Sequence, residues 1–388
     1  MIRRFSLFLM ALVALATLRP AAAQTNGYTV TDLGLISGAT ISDALGVNDN
    51  GWVVGRATIP IDRSTNGYKG WLWTPNTPNA PSGTLRALQP LDGWSFSNAT
   101  EVNNAGRIVG VSFSTASSST TGTEYTATFW QGPDYAPVNF NSLPRDPALA
   151  DWWFTFAYSV SEPVAGTGEI YVFGWGRYVA ADGSTFNGKI VWRMDAAGTI
   201  VGVTTLPGLR GWAGACDMNN RGQVSDWMYG DYGDDAVLGD GLSGNVTYLG
   251  TLGGTSAYGY GINDNGTVVG YSKTTAGTTR GFVWTPAVPN GTQGTMTALG
   301  TLGGTASFAL GINNLNQIVG GAYTTRDQKT LACLWQNGAT TPTDLNTLKK
   351  AGATGLVLVN ALRINNQGGI IGKYSTSKGN RAYLLTPR

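Results

Sequence analysis

Four carboxylates fall within ten residues at Asp226, Asp231, Asp234 and Asp235, interleaved with Trp227 and Tyr232. Two carboxyl groups flanking a glycosidic bond are the usual machinery of sugar hydrolysis, and clustered carboxylate oxygens are also ligands for a hard cation. Aromatic faces beside them suit stacking on sugar rings. The spacing lacks the glutamate that a calcium-binding EF-hand loop carries at its twelfth position. The plainer reading of the same segment is a solvated acidic hairpin loop between two strands. A second segment with chemical potential runs Asp151-Trp152-Trp153-Phe154-Thr155-Phe156. Successive residues of a strand point to opposite faces, so only one of Trp152 and Trp153 is offered to a ligand, and Phe154 and Phe156 read as core.

Several other chemistries are excluded. The chain has no histidine, so neither a Ser-His-Asp nor a Cys-His nucleophile exists, and no imidazole is available to a metal. No CxxC, P-loop or dinucleotide fingerprint occurs, and neither a cofactor nor a metal is expected. Cys216 and Cys333 fall at non-equivalent positions of distant segments and read as two buried free thiols.

The elements that must position these residues come from a repeated unit. Leu249-Gly-Thr-Leu-Gly-Gly-Thr255 precedes Gly261-Ile-Asn-Asp-Asn-Gly-Thr-Val-Val-Gly270 and Gly281-Phe-Val-Trp284, and the same order recurs at 299–305, 311–320 and 332–335. Its central asparagine stands at 48, 103, 219, 263, 313 and 365, and a degenerate copy with Tyr158-Ser-Val160 and Tyr171-Val-Phe-Gly174 fills the long gap between 103 and 219. The repeats run approximately 24–78, 79–135, 136–197, 198–243, 244–293, 294–340 and 341–388. Each unit holds four short β-branched or aromatic segments. Asn-Asp-Asn-Gly or Asn-Asn-x-Gly tolerates positive φ and marks a hairpin between the second and third of them. The chain's 55 glycines in 388 residues, about twice ordinary usage, are the turns of such hairpins. Ala351 to Leu362 reads either as strand or as helix. Trp73, Trp130, Trp192, Trp284 and Trp335 occupy one equivalent position, which points to packing between units rather than to five binding sites. A four-stranded unit apolar on both faces buries them only against neighbours, so the reading is an all-β, seven-bladed β-propeller of four-stranded blades. The alternatives are six or eight blades, or a linear β solenoid.

Residues 1–23 have the pattern of a secretory signal peptide: Arg3-Arg4, an apolar run from Phe5 to Leu18, and Ala21-Ala22-Ala23 before Gln24. The run is too short to span a bilayer. Cleavage between Ala23 and Gln24 leaves 24–388 as a single domain, secreted or periplasmic. The formal charge of +2 then disappears with Arg3, Arg4 and Arg19, and a near-neutral chain gives no basis for a nucleic-acid or anionic-membrane partner. A monomer is expected.

The string Leu-Gly-Thr-Leu-Gly-Gly-Thr, Gly-Ile-Asn-Asp-Asn-Gly-x-Val-Val-Gly, x-Gly-Phe-Val-Trp resembles the bacterial extracellular repeat proteins of the HAF family. The resemblance is close around 249–284 and 299–335 and loose between about 136 and 240. It implies secretion and a propeller-like fold, and it brings no reaction. The His-Ala-Phe of the family's name is replaced here by Lys69-Gly70-Trp71, Thr126-Ala127-Thr128, Arg280-Gly281-Phe282, Leu331-Ala332-Cys333 and Arg381-Ala382-Tyr383. The position therefore reads as scaffold. The functional expectation is a non-catalytic propeller that binds an extracellular glycan, protein or surface polymer, with Trp152, Trp153, Trp227 and Tyr232 as contact residues. A carboxylate-dependent enzyme using Asp226, Asp231, Asp234 and Asp235, or a structural matrix component, is the alternative.

Overall fold

The computed structural model describes residues 27–388 except 63–64, 116–122, 181, 210–215, 231–232, 337 and 351–354. The expected cleavage point at Ala23 and Gln24 lies outside the described residues, as do Asp231 and Tyr232. Among the described residues no helix is long and apolar enough to cross a membrane.

The strands form seven four-stranded antiparallel sheets, the blades of a β-propeller. With strands lettered a to d in order across each sheet, blade one is Ile41–Val47, Val53–Pro60, Asn66–Pro75 and Gly83–Leu88, and blade two is Phe96–Val102, Ile108–Thr115, Thr123–Gln131 and Ala136–Asn139. Blade three is Trp152–Val160, Ile170–Val179, Thr185–Met194 and Ile200–Leu206. Blade four is Asp217–Met218, Gln223–Gly230, Gly233–Asp240 and Val246–Gly250. Blade five is Gly253–Ile262, Val268–Thr274, Thr279–Pro286 and Gly294–Ala298, and blade six is Gly303–Ile312, Ile318–Thr324, Thr330–Trp335 and Thr343–Asp344. In blade seven, strands a to c are Leu358–Ile364, Ile370–Thr376 and Gly379–Pro387, and strand d is Tyr28–Asp32 from the other end of the chain. Tyr28 pairs with Pro387 and Asp32 with Tyr383, so both ends of the described chain lock one blade. The sequence repeat is thus offset from the blade by one strand: the segment that opens each repeat is the outermost strand of the blade before it. The ambiguous stretch before Leu362 resolves into strand a of blade seven from Leu358 onward.

Among the described residues, seven apolar clusters each straddle one blade-to-blade interface. Val54, Leu72 and Leu88 of blade one meet Ala99, Ile108 and Trp130 of blade two, and Ile371 and Leu384 of blade seven meet Ala44, Val53 and Trp71 of blade one. No blade could bury these faces alone. The five equivalent tryptophans, from Trp130 and Trp192 at 0% exposed to Trp73 and Trp284 at 3%, sit in these interfaces as expected.

Strand a carries a β-bulge in the six blades whose register is described across that point, for example between Ala44 and Gly46 and between Ala361 and Arg363. The bulge drives a strand-a carbonyl against strand b, and a Cβ at Gly270 would collide with the carbonyl oxygen of Tyr258. Glycine stands at this position in every blade but the fourth, where Asp226 replaces it.

Candidate functional site

Each repeated asparagine directly follows the last residue of strand a and begins the turn to strand b. In blade one, Asn48 Oδ1 accepts from the backbone N–H groups of Asn50 and Trp52, which shapes the turn, while Asn48 Nδ2 donates to the carbonyl of Asn103 in blade two. The same side-chain bond joins Asn103 to Ser161, Asn219 to Asn263, Asn263 to Asn313, Asn313 to Asn365, and Asn365 to Asn48. One residue further along, a second ring is complete. The backbone N–H of Asp49 donates to Asn104, that of Asn104 to Glu162, of Glu162 to Asn220, of Asn220 to Asp264, of Asp264 to Asn314, of Asn314 to Asn366, and of Asn366 back to Asp49. Acids and amides alternate around most of it, so Asp49 Oδ2 receives Nδ2 of both Asn104 and Asn366, and Asp264 Oδ2 receives Nδ2 of both Asn220 and Asn314. The asparagine motif therefore builds turns, as the sequence indicates, and also stitches each blade to the next.

Two residues before each asparagine lies a tier that is not repetitive: Gly46, Glu101, Ser159, Asp217, Gly261, Gly311 and Arg363. Arg363 reaches from blade seven to blade four, donating Nη2 to the carbonyl of Cys216 at 3.4 Å and Nη1 to that of Leu310 at 3.0 Å, with Nε 3.9 Å from Asp217 Oδ2. Burial, then the neighbouring Asp217, pushes Glu101 up to about 8, and burial also raises Asp217 against the pull of Arg363.

Five residues before each asparagine the copies diverge again, and they sort by blade. Strand a there carries Phe156, Tyr258 and Phe308 in blades three, five and six. Their cross-strand partners on strand b include Trp175 and Tyr271, and blade four adds Trp227 at the equivalent strand-b place. Blades seven, one and two instead carry Asn360 opposite Lys373, Asp43 opposite Arg56, and Asn98 opposite Val111. The aromatic side is continuous across blades: Trp227 meets Tyr258 edge-on at 5.3 Å, Tyr258 lies 5.0 Å from Tyr271, and Tyr271 meets Phe308 edge-on at 5.2 Å. Most of these rings are half-buried, and Tyr229, 62% exposed, extends the row 5.9 Å from Trp227. On the polar side Arg56 pairs with Asp43 at 3.4 Å, and Asn98, 6% exposed, has an Oδ1 with no hydrogen-bond partner.

The acidic segment of blade four is dispersed by the fold. Asp226 is fully buried and ion-paired with Lys189 of blade three at 3.2 Å, the ammonium resting 4.2 Å from the Tyr158 ring and 3.5 Å from Cys216 Sγ. Burial alone would lower the Lys189 pKa; Cys216, Asp226 and Tyr158 around the ammonium together raise it. A carboxylate locked in this pair is unavailable to a sugar. Asp234 and Asp235 are successive residues of one strand and project to opposite faces. Asp234 Oδ2 accepts from Tyr258 Oη at 2.5 Å, which places it in the aromatic row. Burial and this carboxylate push the Tyr258 phenol up to about 12, so it stays a donor at neutral pH. The described members of the pool therefore do not converge as an acid/base pair.

Of the aromatic candidates, Trp227 is central to the row. Trp152 packs into the interface of blades two and three and stacks on Tyr178 at 5.4 Å, whereas Trp153 on the opposite face is 46% exposed. Phe154 is fully buried and Phe156 half-buried. Cys216 and Cys333 are both buried, and no disulfide joins them. Lys189, Glu101, Asp217, Arg363, Tyr258, Tyr271 and Phe308 were not singled out from sequence. The signal that marks most of them is divergence between copies at a fixed distance from the asparagine.

No protein-family model and no curated protein matches the chain. Among solved structures it is similar to the β-propeller domain of the Trilobed protease from Pyrococcus furiosus, at 8% identity and a TM-score of 0.48 over 90% of this chain and 95% of that one. It is also similar to the Dos1 propeller, at 10% identity and a TM-score of 0.43 over 93% and 95%. An acylaminoacyl peptidase matches at 11% identity and a TM-score of 0.47 over 89% of this chain and 51% of that one.

Proposed function

We propose that the protein is a secreted, non-catalytic binding propeller that recognises an extracellular glycan along the aromatic row of blades four to six. The observation that carries this reading is the sorting of one register position by blade. A repeat preserves what the scaffold needs, and this position is aromatic at Phe156, Tyr258 and Phe308 and polar at Asn360, Asp43 and Asn98, while blade four supplies Trp227 from its strand b. A row of ring faces beside amides and charges offers a sugar both the stacking surface for its C–H face and partners for its hydroxyls. The arginine-led apolar leader and the HAF-like repeats support an extracellular setting, in which the repeats are scaffold and the divergent tier is the recognition surface.

The test is binding of the purified protein to a glycan array and to immobilised bacterial polysaccharides, with Trp227→Ala, Tyr258→Ala and Trp153→Ala compared. Losing one stacked ring costs about 1.4 kcal/mol, or tenfold in Kd. Weakening by Trp227→Ala and Tyr258→Ala but not by Trp153→Ala supports the row. Unchanged binding in both row variants refutes it, and release of new reducing ends that Asp234→Asn abolishes replaces it with the enzyme.

A further inference from the structure

Between the asparagine rings and the tier of Glu101, Asp217 and Arg363 lies a cavity of about 160 Å³ on the propeller axis. It is well below the roughly 300–1,000 Å³ of sites for drug-sized ligands, yet it has room for several waters or one small molecule. Its inner wall lies three residues along strand a from the divergent aromatic and polar tier, a separation of about 10 Å. It is therefore a separate place from the glycan row.

The wall is chemically incomplete. Arg363 is 9% exposed and uses both terminal nitrogens on carbonyls, but its Nε has no hydrogen-bond partner, because Asp217 Oδ2 stands 3.9 Å away. A plug built only for stability would close that gap, since a buried N–H without an acceptor costs about 1–3 kcal/mol. Opposite this donor are acceptors: Asp217 Oδ1 takes the backbone N–H of Met218 and Ser159 Oγ, and Glu101 Oε1 takes the N–H of Val102, with lone pairs remaining on both carboxyl groups.

An anion would meet Glu101 and Asp217 inside and Asp49, Glu162 and Asp264 around the rim. A bare cation would face the guanidinium and leave the Nε donor unmet. A molecule whose groups both donate and accept satisfies both sides of the wall. We propose that this cavity is a second ligand site, taking one small uncharged polyol whose hydroxyl oxygen accepts from Arg363 Nε and whose hydroxyl hydrogens go to Asp217 and Glu101. Glu101, with its pKa near 8, carries a proton at neutral pH, so its carboxyl group both donates and accepts, as a hydroxyl-bearing ligand requires.

The test is saturation-transfer NMR and calorimetry on the purified protein with glycerol, xylitol and glucose as probes, and with methylammonium chloride and sodium acetate as charged controls. A polyol binds at millimolar or better affinity, and Asp217→Asn and Arg363→Lys each weaken it at least tenfold while melting curves show both variants folded. Should Arg363→Lys fail to fold, Asp217→Asn decides. Tyr258→Ala leaves polyol binding unchanged, so failure of the glycan row and failure of this site are read separately. Absence of saturation by all three polyols, binding of a charged control alone, or undiminished binding in Asp217→Asn overturns the proposal.

Discussion

Asn365 Nδ2 donates to the carbonyl oxygen of Asn48 at 2.7 Å, joining the last blade to the first across 317 residues of chain. The bond is buried, and it repeats a contact that five other blade junctions make with the same atoms. Closure of the propeller therefore rests on two devices at different radii: this inner ring of amides, and the outer pairing of Tyr28–Asp32 with Gly379–Pro387.

Removing the inner device at the closure should be costly. Asn365→Ala deletes the bond to Asn48 and the two turn bonds that Oδ1 accepts from Gln367 and Gly369. At about 1 kcal/mol for each buried hydrogen bond, the expected loss is about 3 kcal/mol. Asn366→Ala, on the less buried outer ring, should cost about 1 kcal/mol. Urea midpoints measure both, and an Asn366→Ala effect equal to that of Asn365→Ala would contradict the inner-ring argument.

The Lys189–Asp226 pair predicts strong non-additivity. Both side chains are fully buried, so Lys189→Met or Asp226→Leu alone strands a charge and should lose about 3–5 kcal/mol. The double variant removes both charges and should recover most of that loss. A double-mutant cycle by chemical denaturation measures the coupling, and simple addition of the two losses would show that the ion pair is not the unit that matters.

The fold was legible because its signals are local and repeated. Asn-Asp-Asn-Gly specifies a hairpin from its own residues, and six such copies with a degenerate seventh point to stacked four-stranded units, though a linear solenoid would stack them too. Strand exchange was not legible, since nothing in Tyr28-Thr-Val-Thr-Asp32 distinguishes the first strand of one unit from the last strand of another; only closure of the ring assigns it to blade seven. The candidate site was half legible. Trp227 was visible as an aromatic among acids, but Asp226 looked equally exposed because its partner Lys189 lies 37 residues earlier, in another blade. Glu101, Asp217 and Arg363 come from blades two, four and seven, and no local pattern joins them. Comparing the copies at a fixed offset from the asparagine would have set them in one tier.

The two thiols should be inert in the folded protein. Burial pushes both Cys216 and Cys333 up to about 12, and the thiolate is the nucleophile. At pH 8 only about one thiol in 10,000 is ionised, so alkylation by iodoacetamide should be slow in buffer and rapid in urea, where a thiol pKa near 8.5 returns. Mass spectrometry of the alkylated peptides reads each cysteine, and fast native labelling at Cys216 would show that the blade three–four interface opens.

Glu101 gives the protein a pH dependence opposite to that of most paired carboxylates. Its pKa rises from 4.5 unfolded to about 8 folded, first through burial and then through Asp217, with Arg363 opposing. Between those values the folded state holds a proton that the unfolded state has released, so this residue's contribution to stability is full below about pH 4.5 and is lost as pH rises toward 8. The slope for one proton is about 1.4 kcal/mol per pH unit. Glu162 on the rim and Asp217, both also raised by burial, add in the same direction. Glu101→Gln keeps the shape and removes the titration. Melting temperatures from pH 5 to 8 should therefore fall more steeply in the unmodified protein than in Glu101→Gln, with the two curves diverging toward pH 8 in favour of the variant. Parallel curves would mean that water reaches Glu101 through the channel and holds its carboxyl in the ordinary range.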